Sequence, residues 1–198
     1  GLGSVGLFEP DEPYYAVPAQ EMLATGTWSV TIFHGLPWFD KPILFYWVIL
    51  AAYKLFGVTE TAARLGSALA ALGGVLAVYL AGRRGTLGER GAFVAALALG
   101  ANVEYAFLAR AAVTDMTLAL WITAGMLAAE RLLATGRARC AAAAGAFFGL
   151  AALPKGPVGF LLPGVALLAY AALARRTDLF RPRTIAAATL GALATAAP

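Results

Sequence analysis

Long apolar runs, separated by short segments rich in arginine, decide what this chain can fold into. They fall at about 61–82, 91–109, 115–134, 139–153, 157–174 and 184–198. Crossing the hydrocarbon core of a bilayer takes roughly 20 mostly apolar residues, and several of these runs approach that length. Hydrophobic residues make up 61% of the 198 and charged ones only 13%, far from the balance of an ordinary soluble domain. The expected class is all-α, a polytopic bundle of transmembrane helices. The chain starts at Gly1 without a methionine and stops at Pro198 inside an apolar run. It is therefore expected to be an N-terminal fragment, with Gly1–Phe8 as the tail of a first helix and further protein after about the seventh.

The cations set an orientation. Arg83, Arg84 and Arg90, then Arg131, Arg137 and Arg139, then Arg175, Arg176, Arg181 and Arg183 occupy every second connection. Loops that keep Lys and Arg in this way stay on the cytoplasmic side. Segment 1–60 and the turns near 110–115 and 154–157 then face outward. The inner loops hold ten Lys/Arg against Glu89, Glu130 and Asp178, whereas the outer parts hold five against eight acids. The net charge of +4 is thus explained by topology, and no nucleic-acid partner is expected. Cys140 is the single cysteine, which excludes an internal disulfide and a cysteine-based metal cluster.

Residues 1–57 are expected to hold the end of the first helix and an outer loop with interfacial helices, and residues 58–198 the spans. Pro13–Thr25 reads as a short helix ended by Gly26, 27–40 as an irregular loop, and 42–56 as an apolar helix too short to span and anchored at the interface by aromatic rings. Pro18 is expected to shorten or kink the helix around it. Gly145 and Gly149, four apart, read as helix packing.

Against so apolar a background the outward charges carry the chemistry. Glu9, Asp11 and Glu12 lie within four residues of one another. One carboxylate suffices to cap a helix N-terminus, so a second is free to act as a general base. Asp40-Lys41-Pro42 repeats the acid-before-proline layout. A cation at a helix N-terminus opposes the helix dipole unless an anion lies between them, and Lys155-Gly156-Pro157 poses the same question. The bland reading is a lysine reaching along the interface. Arg110 could pair with Asp115, and Thr114 or Asp115 could cap the next helix. Glu104 reads as a structural partner of Arg110. His34 and Asp40 could hold a divalent metal, although a lone loop histidine is more often solvent-exposed. No cofactor follows with certainty.

Three strings carry a resemblance: Asp11-Glu12-Pro13-Tyr14-Tyr15-Ala16, Gln20-Glu21-Met22-Leu23, and Gly35-Leu-Pro-Trp-Phe-Asp-Lys-Pro42. Tyr53-Lys-Leu-Phe-Gly57, Ala62-Ala-Arg-Leu65, Ala109-Arg110 with Thr114-Asp115-Met116, and Pro154-Lys-Gly-Pro-Val-Gly159 follow in order. Together they resemble bacterial membrane glycosyltransferases of the GT-C superfamily, family-39-like, related to protein O-mannosyltransferases and to the aminoarabinose transferases that modify lipid A. The resemblance implies transfer of a sugar from a polyprenyl-phosphate donor to an acceptor hydroxyl or phosphate, with inversion, at the outer face of the bacterial inner membrane. It implies Asp11 as base, with Glu12 and Asp115 as further acids. Lys41, Lys155 and Arg110 would contact the donor phosphate, and Tyr15 and Asp40 would position substrate. Tyr14 stands where relatives often carry arginine. The competing reading is a polytopic transporter or flippase for an anionic lipid or lipid-linked sugar. Such a protein would place its polar residues in broken helices near mid-membrane.

Overall fold

The structure, a computed structural model, describes residues 1–8, 10–176 and 178–196. Glu9, the Asp178 side chain and the last two residues of the expected 184–198 span lie outside that description. The helices are α1 (Pro13–Thr25), α2 (Leu44–Phe56), α3 (Glu60–Arg84), α4 (Gly88–Ala101), α5 (Val103–Leu108), α6 (Asp115–Thr135), α7 (Ala138–Lys155), α8 (Val158–Leu173) and α9 (Pro182–Ala196). A small hairpin of β1 (Ile32–Phe33) and β2 (Leu36–Pro37) lies between α1 and α2, and a 3-10 turn spans Asp178–Phe180. The chain is all-α, as expected, and each apolar run is helical. Among the described residues two helices, α3 with 25 residues and α6 with 21, are long and apolar enough to cross a membrane by themselves. Packing divides the chain into two compact units, Gly1–Thr117 and Leu118–Pro198.

In the first unit α1 packs on α2 and α2 on α3. Phe45, Tyr46, Ile49 and Leu50 are fully buried against Tyr15, Ala19 and Met22 of α1 and Ala62 and Ala63 of α3. Positions i, i+1, i+4 and i+5 form one helical face, which is why so short an apolar helix is held edge-on to its neighbours. Lys54, Leu55 and Phe56 at its far end are exposed. Tyr15 meets Phe45 edge-on, with ring centroids 5.3 Å apart at 90°, a geometry worth roughly 0.5–1.5 kcal/mol beyond area burial.

Four expectations are corrected here. Gly1–Phe8 forms turns and not a helical tail, because the carbonyls of Leu2, Val5 and Gly6 accept from the Arg64 guanidinium and so do not serve a helix. The run 91–109 is two helices, since Asn102 adopts an extended conformation and its side chain accepts from the Tyr105 N–H at 3.0 Å. Residues 27–40 contain an ordered hairpin that pairs Ile32 with Pro37 and Phe33 with Leu36. Its turn residues His34 (φ 53°) and Gly35 (φ 77°) both have positive φ, as a two-residue type I′ turn requires. Finally, α1 runs through Pro18 to Gly26 (φ 69°) without shortening. Proline leaves the carbonyl four residues back without its helical donor. That carbonyl, on Tyr14, accepts instead from the Tyr46 hydroxyl at 3.4 Å.

In the second unit α7 and α9 touch backbone to backbone. A Cβ on Gly145 would collide with the Ala188 backbone, one on Gly149 with Ala192 and Thr195, and one on Gly191 with the Ala142 backbone. Thr195 Oγ1 donates to the Ala146 carbonyl at 2.8 Å across the same contact. The packing role read for Gly145 and Gly149 is what the structure shows. Alanines 128, 129 and 144 with Phe147, Phe148 and Leu167 form the core beside it.

Candidate active site

The segment leading into α1 is built on a buried ion pair. Arg64, four residues into α3, and Glu12, at the entry to α1, are each 1% exposed. All five guanidinium N–H groups are used. Nε donates to Glu12 Oε1 at 2.8 Å and Nη2 to Oε2 at 2.7 Å, while the rest reach Leu2, Val5 and Gly6 carbonyls. The carboxylate is equally saturated. Oε1 also accepts from the Ala112 N–H at 2.6 Å and Oε2 from the Phe8 N–H at 2.7 Å, which fills about four lone-pair positions. Burial alone would raise the Glu12 carboxyl. The Arg64 hydrogen bond, the Phe8 and Ala112 N–H groups and the Arg64 charge together outweigh it and hold the carboxyl below the usual range. Such a group has no lone pair left over and a lowered basicity, so its geometry suits holding the chain in place more than taking up a proton. Arg64 was missed as a site residue by the sequence reading. Its signal was an arginine buried in the first turns of an apolar span, where only a fully paired cation is tolerated.

Asp11, the neighbour of that clamped glutamate, is exposed. Among the described residues no hydrogen bond or ion pair engages it. Two adjacent carboxylates are thereby given opposite fates, one sealed and one open. Because Glu12 already has helical backbone angles (φ −63°, ψ −39°), Asp11 stands one turn ahead of Tyr15.

Tyr15 leads to the second cluster. Lys41 Nζ lies 3.0 Å from Asp40 Oδ2, with about a third of the lysine side chain and half of the aspartate exposed (32% and 48%). The hydrogen bond to Asp40 raises the Lys41 ammonium above its ordinary value against partial burial, and the Asp40 charge and Tyr15 phenol add to it. Tyr46, buried and under the influence of both Tyr15 and Asp40, is pushed far above the ordinary phenol range and stays a neutral donor. Tyr15, Asp40 and Lys41, singled out separately by sequence, are therefore brought together, and Tyr46 joins them. The hairpin flanks this corner. Trp38 stacks on Tyr14 at 6.1 Å and 7°, with Phe33 packed against both. Glu21 of α1 accepts from the backbone N–H groups of His34 at 2.9 Å and Gly35 at 3.0 Å, which locks the turn to the helix.

The remaining residues are placed as follows. Asp115 opens α6, where a carboxylate suits the helix dipole, next to Thr114, whose buried Oγ1 has no hydrogen-bond partner among the described residues. Lys155 is the last residue of α7, at a C-terminus that favours a cation. It belongs to the second unit. Arg110 is exposed and donates to the Ala106 carbonyl at 3.2 Å. Glu104, read as a structural partner of Arg110, is exposed in the first turn of α5, and among the described residues no ion pair joins the two. His34 sits at the hairpin tip, and among the described residues no three metal-binding side chains gather there or elsewhere.

The all-α architecture, with apolar helices long enough to cross a membrane, defines a class, the polytopic membrane proteins of GT-C-like fold. The chain belongs to the dolichyl-phosphate-mannose-protein mannosyltransferase family, whose pattern matches residues 40–198. It is 35% identical over 174 residues to the undecaprenyl phosphate-alpha-4-amino-4-deoxy-L-arabinose arabinosyl transferase of Edwardsiella ictaluri, a match that covers 86% of this chain and 32% of that protein. The Pseudomonas aeruginosa enzyme of the same name is 32% identical, with 88% and 33% covered. The crystal structure of ArnT from Cupriavidus metallidurans bound to undecaprenyl phosphate superimposes with a TM-score of 0.92 at 33% identity, over 100% of this chain and 37% of that one. The chain thus spans about a third of the length of the proteins it matches.

Proposed function

We propose that the protein containing this chain is an integral-membrane glycosyltransferase. It moves a sugar from a polyprenyl-phosphate donor to an acceptor hydroxyl or phosphate of a lipid, glycan or protein, on the outer face of the bacterial inner membrane. The observation that carries this reading is that the chain presents an open carboxylate, Asp11, one turn ahead of Tyr15, which neighbours the Lys41–Asp40 ion pair. The chain's backbone follows that of ArnT from Cupriavidus metallidurans, which was crystallised with undecaprenyl phosphate.

In this reading the acceptor oxygen attacks the anomeric carbon as the carbon–oxygen bond to the polyprenyl phosphate breaks, with inversion. When the acceptor is a hydroxyl its proton passes to Asp11, whereas an ionised phosphate oxygen attacks without losing one; in both cases the bonding pair leaves on the polyprenyl phosphate. A phosphate is already a stable leaving group, so the protein's task there is to supply positive charge. Lys41 does so, with Arg110 as a further phosphate contact and Asp115 as a supporting acid. For Lys41 to act, the incoming phosphate replaces or joins Asp40 as its partner. Tyr15 and Asp40 hold the sugar and the lysine in register, and Glu12 with Arg64 holds the loop that presents Asp11. A transporter of the same lipid would work through polar residues at broken helices. The break at Asn102 is capped by its own side chain, which favours the transferase.

The test is transfer by the full-length protein from a polyprenyl-phosphate sugar. Asp11→Asn is expected to cut turnover by roughly 10²–10⁴-fold while the protein inserts and melts normally. Lys41→Ala is expected to raise the donor KM. Undiminished turnover by Asp11→Asn would overturn the base assignment, and lipid translocation without sugar transfer would favour the flippase.

A further inference from the structure

At the arginine-bearing end of the second unit, where α6 and α8 end and α7 and α9 begin, lies a polar cavity of about 430 Å³. Arg175, Arg176, Arg181 and Arg183 line it, with Thr184. Directly against it runs an apolar slot of about 290 Å³ between the helices, lined by Ala129, Leu132, Phe148, Gly164, Leu168 and Ile185. Leu132, Leu179 and Thr184 are walls of both. We propose that the pair forms a binding site for an acidic phospholipid, with the headgroup phosphate among the arginines and an acyl chain in the slot.

Three observations carry this assignment. The first is charge. Arg176 is anchored, its Nη2 donating to the Leu133 carbonyl at 2.9 Å. Among the described residues no carboxylate forms an ion pair with Arg175, Arg181 or Arg183. Arg183 also occupies the first turn of α9, where a cation opposes the helix dipole unless an anion lies at the N-terminus.

The second is backbone conformation. Arg175 has φ 51°. The bonds from Arg176 N–H to the Ala171 carbonyl (2.9 Å) and from Arg175 N–H to the Ala172 carbonyl (3.4 Å) form the helix-ending pattern whose left-handed position glycine normally fills. An arginine held there against its own backbone preference points to a use for its side chain.

The third is shape. A soluble anion would leave the apolar slot empty, and a neutral lipid would bring no negative charge to Arg175, Arg181 and Arg183. An acidic phospholipid satisfies both halves, as clusters of arginine beside membrane helices do elsewhere.

The experiment uses the full-length protein, purified in detergent, stripped of lipid and titrated with phosphatidylglycerol, phosphatidylcholine of the same chains, or inorganic phosphate, with native mass spectrometry as the readout. Phosphatidylglycerol is expected to bind about tenfold or more tightly than either of the others. Arg175→Gly should weaken it about fivefold while the protein melts at the same temperature or higher, because glycine relieves the strained position. Gly164→Leu should weaken the phospholipid and leave inorganic phosphate unaffected, since a Cβ at Gly164 meets no atom within 4 Å and the longer side chain fills the slot. Equal binding of the two lipids overturns the proposal. So does inorganic phosphate binding as tightly as phosphatidylglycerol, an unchanged affinity in Arg175→Gly, or a full-length protein that binds no lipid because its own remaining chain fills the slot.

Discussion

In Gly1–Thr117 a buried ion pair ties together segments far apart in the sequence, whereas in Leu118–Pro198 glycines bring two helices into backbone contact. Arg64 grips Glu12 from 52 residues away, and Glu12 in turn holds the Ala112 N–H from 100 residues away. In the second unit Gly145, Gly149 and Gly191 let α7 and α9 close until their backbones touch. Polar bonds are directional and fix side chains and loop termini in place. Small-residue contacts mainly fix the distance between helices, and in a lipid environment they supply association that the hydrophobic effect does not. The difference suits the chemistry proposed for the first unit, to which Asp11, Tyr15, Asp40, Lys41, Arg110 and Asp115 all belong.

The sharpest way to break this contrast is Arg64→Ala. It strands the Glu12 carboxylate in a buried site, a loss typically of roughly 3–5 kcal/mol, and releases the carbonyls of Leu2, Val5 and Gly6. The expected outcome is loss of the main thermal transition of the full-length protein in detergent. Arg64→Lys should fail to rescue it, because an ammonium has three donors where this site uses five. A variant that melts with the parent would mean the pair sets loop position alone.

Gly191→Leu attacks the other mode. Its side chain would meet the Ala142 and Ala146 backbone, which cannot move aside as a side-chain tip could. Overpacking of this kind costs roughly 1–3 kcal/mol or more, seen as a lower melting temperature. Donor KM should change less than in Lys41→Ala, because the distortion begins in the unit that holds few site residues.

Acid separates the units by chemistry. The Glu12 carboxyl is held below its ordinary value of 4.5. The stability it contributes is therefore fully present above that value and is lost as pH falls through the lower folded value. Contacts among glycine and alanine do not titrate. Melting followed from pH 7 downward should stay level to about 4.5 and then fall, and Glu12→Gln should flatten the acid limb while lowering the plateau. An acid limb that survives in Glu12→Gln would assign it to other carboxylates.

How much of this was legible in the sequence depends on range. The helices were, because apolar runs and their arginine punctuation are local signals. So was α1, bounded by Pro13 and Gly26. Asp40 and Lys41 are adjacent in sequence, and their alliance could be read, whereas the approach of Tyr15 and Tyr46 to them depends on how α1 crosses α2. The Arg64–Glu12 pair was beyond reach for the same reason. Nothing local tells Glu12, with its bonds to residues 52 and 100 positions on, from Asp11, which has none among the described residues. The hairpin lay within reach, for His34-Gly35 between Ile32-Phe33 and Leu36 is a two-residue turn signal. It was obscured by strands of two residues each and by Pro37.

That hairpin provides the mildest test, and it grades the polar devices within the first unit. Glu21 holds two backbone N–H groups with one carboxylate, both at a partly exposed surface, so Glu21→Gln keeps one acceptor and turns an N–H₂ toward the other donor. The expected cost is about 1 kcal/mol, too little to move the main transition and confined to the turn. Amide exchange at His34 and Gly35 should quicken while exchange in α3 stays unchanged. Because Phe33 and Trp38 carry the ring contacts to Tyr14, a loosened turn should raise the donor KM modestly and leave kcat alone. If exchange in α3 quickens as well, the hairpin and the Arg64–Glu12 pair unfold as one cooperative element, and the first unit is held by a network, not by one pin with a local cap.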